Sequence, residues 1–381
     1  MGLLLLVQMY VLALKGVNYG LDLRPVWASA ENFLHHRPIY AGEVSTITFS
    51  FLPPSGALLT SPLGLMSFDV AAKVLLAVQI VALAVATWVF VRRFAGRHWL
   101  PSSVGAAIGL ALSQPFIFTL QFGSVNGLLV AAMLAFFVGM ADGRRWTGAL
   151  LGVSLALKPV LFPLVIILVL RRQYRQVATA AAVAAGLLGV AVMVAPDSAE
   201  YVTKVLPYLA RGEPGLERFN VSILGLTQQA GWPGVWAIAG RLAVAGAALA
   251  LCLRMWKREP NDLDLVEAGT ALVMAGIVAS SWATFYYAAF AFPALVLFRD
   301  RRSAASALFL WPFVLAVGVP LVFGSVLVTN TRTLIGMLGI LVVVGVTAWR
   351  GDPPEDPVEL PPRRAPEPLL ASAGTRSHER I

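Results

Sequence analysis

The chain is long, apolar and poor in charge. It has 381 residues, of which 58% are hydrophobic and 13% charged, and its mean hydropathy is +0.76. Soluble domains carry about one quarter charged residues, so this composition excludes a soluble globular protein, a disordered chain and a disulfide scaffold. The net charge of +9 lies in short basic clusters between apolar runs, which is typical of a cytoplasmic membrane face and not of a nucleic-acid-binding surface.

Twelve apolar stretches follow one another along the chain. They lack the period-2 alternation of a membrane β-barrel, and a lone spanning segment must satisfy its own backbone hydrogen bonds. We therefore predict an all-α polytopic membrane protein with about 11–12 transmembrane helices. The stretches cover approximately residues 2–17, 70–91, 102–121, 125–141, 146–157, 159–170, 177–195, 233–254, 265–281, 284–298, 304–323 and 333–349.

Basic clusters follow every second stretch and give the orientation. Examples are Arg92 with Arg93, and Arg144 with Arg145. The positive-inside rule places these clusters in the cytoplasm and the intervening loops outside. The first stretch has neither a positive n-region nor an A-x-A cleavage site, so we expect it to be a retained helix with a cytoplasmic start.

The pattern predicts a single transmembrane domain over residues 1–349. Two segments, residues 18–69 and 196–232, are too long and too polar to be simple connectors, and the predicted topology places both outside. Residues 350–381 contain PPEDP and PPRRAPEP and have too few apolar residues to form a core. We expect them to be a disordered cytoplasmic tail.

Asp22 is the first candidate for chemistry, because it follows the first apolar stretch by a few residues. Partial desolvation there raises a carboxyl pKa and a nearby cation lowers it, so Asp22 suits a general base. The alternative is that it only caps the next helix or stays solvated. That helix is predicted to begin around Pro25 and to lie on the outer surface with one apolar face, which includes Val26, Trp27 and Phe33.

Lys158 is the most informative charge inside an apolar region. Only 24 residues run from Trp146 to Val169, and a basic cluster lies at each end of that segment. That length is too short for two full spans, so the chain should turn back near Lys158-Pro159 as two shortened helices. A buried ammonium needs an anion, either a protein carboxylate or a substrate phosphate. The alternative is that Lys158 extends its amine to the outer interface.

Other polar residues give weaker signals. His35 and His36 are adjacent, so they point in different directions, and no carboxylate lies at ligand spacing; we predict no metal site there. Tyr286 and Tyr287 have the pattern of interfacial aromatic residues. No phosphate-binding loop, dinucleotide fingerprint or nucleophile-elbow motif is present, so we predict neither a nucleotide nor another cofactor.

Eight short motifs occur in one order over nearly the whole chain before the tail. In that order they resemble the polyprenyl-phosphate-dependent glycosyltransferases of the membrane GT-C fold that build actinobacterial cell-envelope glycans. Within that family the arabinofuranosyltransferases that branch arabinan are the most similar, and the phosphatidylinositol mannoside mannosyltransferases are related. The motifs are DLRPVW (22–27), NFLHHRPIY (32–40), LPPSGALLTSPLG (52–64), VNG (125–127), DGRRWTGALLGVSLALKP (142–159), LPY (206–208), NVSILG (220–225) and YYAAFAFP (286–293).

The resemblance implies a GT-C-type fold and an inverting sugar transfer at the outer face of the plasma membrane. Asp22 stands where the family has its base, and Lys158, with Arg24 as second choice, is the expected cation for the donor phosphate. The expected partners are a decaprenyl-phosphate sugar, a glycan or glycolipid acceptor and membrane lipids. The residues expected to bind substrate are Tyr40, Asn126, Asn220, Tyr286 and Tyr287.

Two other functions stay open at this point. Leu21, Leu52 and the pair Thr284-Phe285 depart from the arabinan pattern, which leaves the sugar undecided between arabinofuranose and polyprenyl-phosphate mannose. A lipid-linked sugar transporter is the alternative outside the enzymes. Transporters show paired halves with interrupted helices at matching positions, whereas this sequence has no visible repeat, so the pattern favours an enzyme.

Overall fold

The computed structural model describes residues 19–46, 49–95, 113–212, 219–257 and 262–293, with scattered positions in 103–110 and 331–342. Every regular element in these ranges is helical, which confirms the predicted all-α class. Short 3-10 helices cover Pro159–Leu161 and Phe285–Ala291, and Tyr201–Val205 forms a π-helical turn. The α-helices are α1 (Leu23–Leu34), α2 (Pro54–Gly64), α3 (Phe68–Phe94), α4 (Gln114–Gln121), α5 (Asn126–Ala141), α6 (Trp146–Leu157), α7 (Leu164–Leu170), α8 (Tyr174–Val194), α9 (Leu206–Ala210), α10 (Ile223–Gln229), α11 (Gly234–Trp256) and α12 (Asp262–Ala279).

Three of the described helices are long and apolar enough to cross a membrane: α3, α8 and the part of α11 from Gly234 to Arg254. On α3, Leu75 and Leu76 are packed inside, whereas Val81 and Val85 are 61% and 55% exposed. An apolar helix with large exposed apolar side chains is costly in water and favourable in lipid. These helices agree with the predicted membrane protein.

Two predicted spans differ in the structure. The stretch 102–121 is interrupted at Ser113, whose backbone is extended, and α4 begins at the next residue with Pro115 in its first turn. A proline fits only the first turn of a helix, so it favours a new start there. The stretch 284–298 begins as a 3-10 helix and not as an α-helix. The stretches 2–17 and 304–323, residues 340 and 343–349 of the last stretch, and the tail 350–381 lie outside the described residues.

The chain turns back at Lys158, as predicted. Helix α6 ends at Leu157, Lys158 is extended, and Pro159 starts the 3-10 helix that leads into α7. A Cβ built on Gly148 would lie 2.5 Å from the Gln176 oxygen, and one on Gly152 would lie 2.6 Å from the Ala180 oxygen. Helices α6 and α8 therefore start at the same level and run in the same direction, so residues 158–173 must have returned to that level.

The ends of three helices meet in one ion cluster on the side where the basic loops lie. The Arg93 guanidinium, near the end of α3, lies 2.8 Å from the Asp142 carboxylate after α5 and 2.6 Å from the Asp262 carboxylate at the start of α12. All three residues fall in loops predicted to be cytoplasmic, so their meeting agrees with the alternating topology.

The two long polar segments also meet each other. The Asp197 carboxylate accepts hydrogen bonds from the backbone N–H groups of Ile39 and Tyr40, at 2.9 and 2.6 Å. The Lys204 ammonium donates to the carbonyl oxygens of Tyr40 and Gly42, at 3.2 and 2.9 Å. These contacts hold residues 39–42 of the first segment against residues 197–204 of the second.

Candidate active site

The turn before α1 positions Asp22. Gly20 has a left-handed backbone with φ of 71°, and its N–H donates to the Gln121 carbonyl at 2.8 Å. The Asp22 N–H donates to the Phe122 carbonyl, also at 2.8 Å. A Cβ on Gly20 would lie 2.8 Å from the Phe68 ring, so glycine provides both the conformation and the space. The end of α4 thus fixes the backbone of the candidate base.

Three groups from different segments act on the Asp22 carboxyl. The Tyr286 hydroxyl donates to its Oδ2 atom at 2.5 Å. Burial raises the pKa of Asp22 above its ordinary value of 3.8, while the Tyr286 hydrogen bond, the positive charge of Lys158 and a hydrogen bond with Ser124 lower the pKa. Burial is the largest effect. A carboxylate with a raised pKa is a stronger base than a solvated one.

The Lys158 ammonium lies on the other side of the same cluster. Its Nζ donates to the Asn126 Oδ1 atom at 3.2 Å and lies 4.7 Å from the centre of the Tyr287 ring. In the ranges that the structure describes, Lys158 has no carboxylate within ion-pair distance, although the charge of Asp22 is near enough to interact. A partly buried cation without a close counter-ion is suited to binding an anionic ligand.

The double-proline segment supports the helix break at Lys158. Pro53 and Pro54 start α2, and the Ser55 hydroxyl donates to the Ala156 carbonyl at 2.7 Å. That carbonyl lies in the last turn of α6, where the helix itself supplies no donor. A Cβ on Gly56 would lie 3.1 Å from the Leu157 carbonyl. The start of α2 therefore packs directly on the residues that present Lys158.

Asn126 is the buried polar residue next to the cation. It is 0% exposed, its Oδ1 accepts from Lys158, and its Nδ2 has no hydrogen-bond partner among the residues that the structure describes. A buried donor without a partner costs about 1–3 kcal/mol. A ligand oxygen beside Lys158 would satisfy it. The structure thus brings together Asp22, Asn126, Lys158, Tyr286 and Tyr287 of the residues predicted from sequence.

Arg24, Tyr40 and Asn220 have other contacts. The Arg24 guanidinium is exposed and lies 4.6 Å from the centre of the Phe68 ring. The Tyr40 hydroxyl donates to the Leu52 carbonyl at 2.7 Å, and the Tyr40 side chain is 1% exposed. The buried hydroxyl contact favours a structural role for Tyr40. The Arg24 guanidinium lies against an aromatic ring and not against the cluster around Asp22.

Asn220 joins two parts of the backbone. Its Nδ2 donates to the Ser281 carbonyl at 2.8 Å, and its Oδ1 accepts from the N–H groups of Ser222 and Ala283, at 3.0 and 3.1 Å. It is 0% exposed. Its amide is therefore occupied by backbone groups, and it holds the segment that precedes Tyr286. The substrate contact that the resemblance implies for Asn220 stays a prediction.

Sequence reasoning missed two residues. Ser124 forms a hydrogen bond with Asp22, and Asp197 holds the backbone at Tyr40. Ser124 follows Gly123, which has φ of 67°, and this tight turn after α4 was the available signal. Within the described ranges, no three His, Cys, Asp or Glu side chains are grouped so that they could hold a metal ion.

The model of glycosyltransferase family 87 matches residues 51–281, more than half of the chain. The chain belongs to this family. The matched region contains Asn126, Lys158 and Asn220, and it lies between Asp22 and the tyrosine pair.

Curated relatives agree with the family. An alpha-(1->3)-arabinofuranosyltransferase of Mycobacterium tuberculosis is 29% identical over 286 residues, which are 72% of this chain and 65% of the relative. Proteins of the same name from Mycolicibacterium smegmatis and Corynebacterium glutamicum are 28% and 26% identical, over 75% and 79% of this chain and 68% and 72% of their own lengths. The chain thus spans about two thirds of the length of these relatives. No solved structure matches.

We predict that Asn220→Ala destabilises the protein and lowers any activity of the site. The change removes three hydrogen bonds and leaves the buried N–H groups of Ser222 and Ala283 without that acceptor, at a cost of about 1–3 kcal/mol for each unsatisfied group. The measurement is the melting temperature in detergent. Asn32→Ala is the control, because the hydrogen bond of Asn32 to the Pro38 carbonyl is exposed. Equal melting temperatures for the two variants would contradict the role given to Asn220.

Proposed function

We propose that the protein is a membrane glycosyltransferase that moves arabinofuranose from a decaprenyl-phosphate donor to a cell-envelope glycan. The observation that carries this proposal is the meeting of a partly buried carboxylate, Asp22, with an ammonium, Lys158, that has no close counter-ion in the described ranges. Membership of glycosyltransferase family 87 supports the reaction class. The arabinofuranosyltransferase relatives support the identity of the sugar.

In the proposed reaction Asp22 is the general base. An acceptor hydroxyl attacks the anomeric carbon, its proton goes to the Asp22 carboxylate, and the bond from the anomeric carbon to the phosphate oxygen breaks. The bonding electron pair leaves with the lipid phosphate, which gains one negative charge. Attack opposite the leaving group inverts the anomeric centre, so base and phosphate site must lie on different sides of the sugar.

Lys158 stabilises the charge that appears on the phosphate. The only hydrogen bond of its ammonium within the described residues is to Asn126, so the other ammonium protons are available to a ligand. The unpartnered Asn126 Nδ2 offers a second donor beside it. Preorganised donors at the site of developing charge are worth several kcal/mol in a dry site. A lipid phosphate leaving group also agrees with the lack of nucleotide-binding motifs in the sequence.

The proposed location is the outer face of a plasma membrane. Asp22 and the 158–159 turn lie at the helix ends opposite to the Arg93, Asp142 and Asp262 cluster, which falls among the basic loops. The positive-inside rule assigns those loops to the cytoplasm. The acceptor is then a glycan or glycolipid outside the cell, and membrane lipids surround the spanning helices.

We expect Asp22→Asn to lower turnover by about 10²- to 10⁴-fold, because an amide cannot accept the acceptor proton. The assay uses membranes with radiolabelled decaprenyl-phosphoarabinose and a short arabinan. In the wild type the acidic limb of the pH profile of kcat/KM should lie above pH 3.8, since burial raises the pKa of Asp22. The matched control is Asp69→Asn, which changes an exposed carboxylate in the first turn of α3. Near wild-type turnover in Asp22→Asn would contradict the role of Asp22 as the general base.

We expect Lys158→Met to lower kcat/KM by about 30- to 1000-fold, or about 2–4 kcal/mol of transition-state stabilisation. Methionine is similar in length but neutral, and Lys158→Arg should keep part of the activity. The phosphate carries its greatest charge as the bond breaks, so kcat should fall as well as the affinity. Lys73→Met, at an exposed position of α3, is the control. If the Lys158→Met protein folds and its kcat/KM falls by less than about threefold, other groups hold the phosphate.

Thiol labelling of intact cells tests the orientation. A cysteine at exposed Ala41 should react with a membrane-impermeant maleimide, whereas one at exposed Arg145 should react only after the cells are opened. The native Cys252 is buried and should stay unlabelled in both variants. The reverse pattern would place the candidate active site in the cytoplasm.

A further inference from the structure

Two consecutive tyrosines connect the two charged groups of the site. The Tyr286 hydroxyl donates to the Asp22 Oδ2 atom at 2.5 Å, and the centre of the Tyr287 ring lies 4.7 Å from the Lys158 ammonium. The two rings stack on each other, with centroids 5.7 Å apart and an interplanar angle of 29°. One short 3-10 helix therefore contacts both the carboxylate and the cation.

The pair is held from several sides. Tyr286 and Tyr287 are 7% and 6% exposed. The Tyr286 ring packs edge-on against Phe122, with centroids 5.8 Å apart and an angle of 83°. The Phe122 carbonyl also accepts the backbone N–H of Asp22. Phe122 thus fixes the backbone of Asp22 and the ring that bonds to its side chain.

The start of the 3-10 helix is fixed by the second polar segment. The Val221 N–H donates to the Ala283 carbonyl at 2.7 Å, and the Ala283 N–H donates to the Asn220 Oδ1 atom at 3.1 Å. Ala283 lies three residues before Tyr286. A displacement of the segment around Asn220 would therefore move both tyrosines together.

We propose that Tyr286 and Tyr287 are positioning residues, which hold the Asp22 carboxylate and the Lys158 ammonium at a fixed separation and do not bind the sugar. This inference rests on the proposed function of Asp22 and Lys158. The Tyr286 hydroxyl holds one carboxylate oxygen, so the carboxylate has a fixed rotation when the acceptor arrives. The Tyr287 ring face attracts the ammonium by a cation–π contact, which is worth more in a buried site than in water.

A positioning role for Tyr286 changes the protonation of the base. Among the described residues, the groups that act on Asp22 are Lys158 after α6, Ser124 after α4 and Tyr286. Arg24, in the first turn of α1, is the nearest charged residue along the chain. The Tyr286 hydrogen bond lowers the pKa of Asp22. Without that hydroxyl, fewer groups counteract the effect of burial on the pKa of Asp22. The pKa of Asp22 therefore rises, and the base is protonated over a wider pH range. A residue that only binds substrate would not have this effect.

The experiment compares the pH profiles of kcat and kcat/KM for Tyr286→Phe and the wild type in reconstituted membranes. We expect kcat to fall by about 10- to 100-fold, as for loss of a hydrogen bond to a charged group. KM should change less than about twofold, the usual signature of an interaction that does not bind the ground state, and the acidic limb should move to higher pH. The control is Tyr174→Phe, which removes a hydroxyl from an exposed tyrosine at the start of α8.

The second tyrosine is tested by two substitutions. Tyr287→Phe keeps a ring face under the ammonium, whereas Tyr287→Leu removes it, so kcat should fall further in Tyr287→Leu. Equal loss in both variants would contradict the cation–π role. If Tyr286→Phe does not fold, 3-fluorotyrosine at position 286 keeps the shape of the side chain. It makes the hydroxyl a stronger donor, and the acidic limb should then move to lower pH.

The outcomes separate this inference from the proposed function. A Tyr286→Phe enzyme with a raised KM and an unmoved acidic limb, together with an inactive Asp22→Asn, would overturn the positioning role and leave the base in place. An active Asp22→Asn enzyme would overturn the proposed function, and the inference with it. If the acidic limb of the pH profile moves to higher pH in Tyr286→Phe and Asp22→Asn is inactive, both the positioning role and the proposed function are supported.

Discussion

Keeping one partly buried carboxylate, that of Asp22, able to accept a proton is the constraint on which the candidate site depends. Burial alone would favour the protonated form of Asp22, which could not accept a proton. The hydrogen bond from Tyr286, the hydrogen bond with Ser124 and the charge of Lys158 act in the opposite direction. The site therefore requires several distant segments of the chain to meet at Asp22, and each segment places one polar or charged group beside the carboxyl.

Those groups lie at the ends of helices and at a helix break. Asp22 precedes α1, Ser124 follows α4, and Lys158 occupies the break after α6. Helix ends and breaks expose backbone groups that packed helices hide, so they are natural places for a polar site in an otherwise apolar bundle. The double-proline start of α2 supports the break at Lys158 through Ser55. The chemistry proposed for this protein thus depends on how the connections between helices are held and not on the spanning helices alone.

The features that sequence reasoning predicted are those with a local cause. The lengths of the apolar stretches predicted the helices, and the basic clusters predicted their orientation. The 24-residue segment around Lys158 was too short for two full spans, and this predicted the turn. The partners of Asp22 could not be predicted in the same way, because Tyr286 lies 264 positions away along the chain. Asn220 shows the same limit: the resemblance implied a substrate contact, and the contacts of its amide with backbone groups about 60 positions away were not visible in the sequence. Pairings over such distances depend on packing that one sequence does not reveal.

In the proposed reaction, Asp22 and Lys158 lie on opposite sides of the transferred sugar, with the lipid phosphate at Lys158. A cryo-EM structure of the protein with bound decaprenyl phosphate tests it most directly. We expect a phosphate oxygen within about 3 Å of the Lys158 Nζ atom and near the Asn126 Nδ2 atom, with the Asp22 carboxylate still hydrogen-bonded to Tyr286. A phosphate bound elsewhere, with Lys158 in contact only with protein groups, would show that Lys158 does not hold the leaving group.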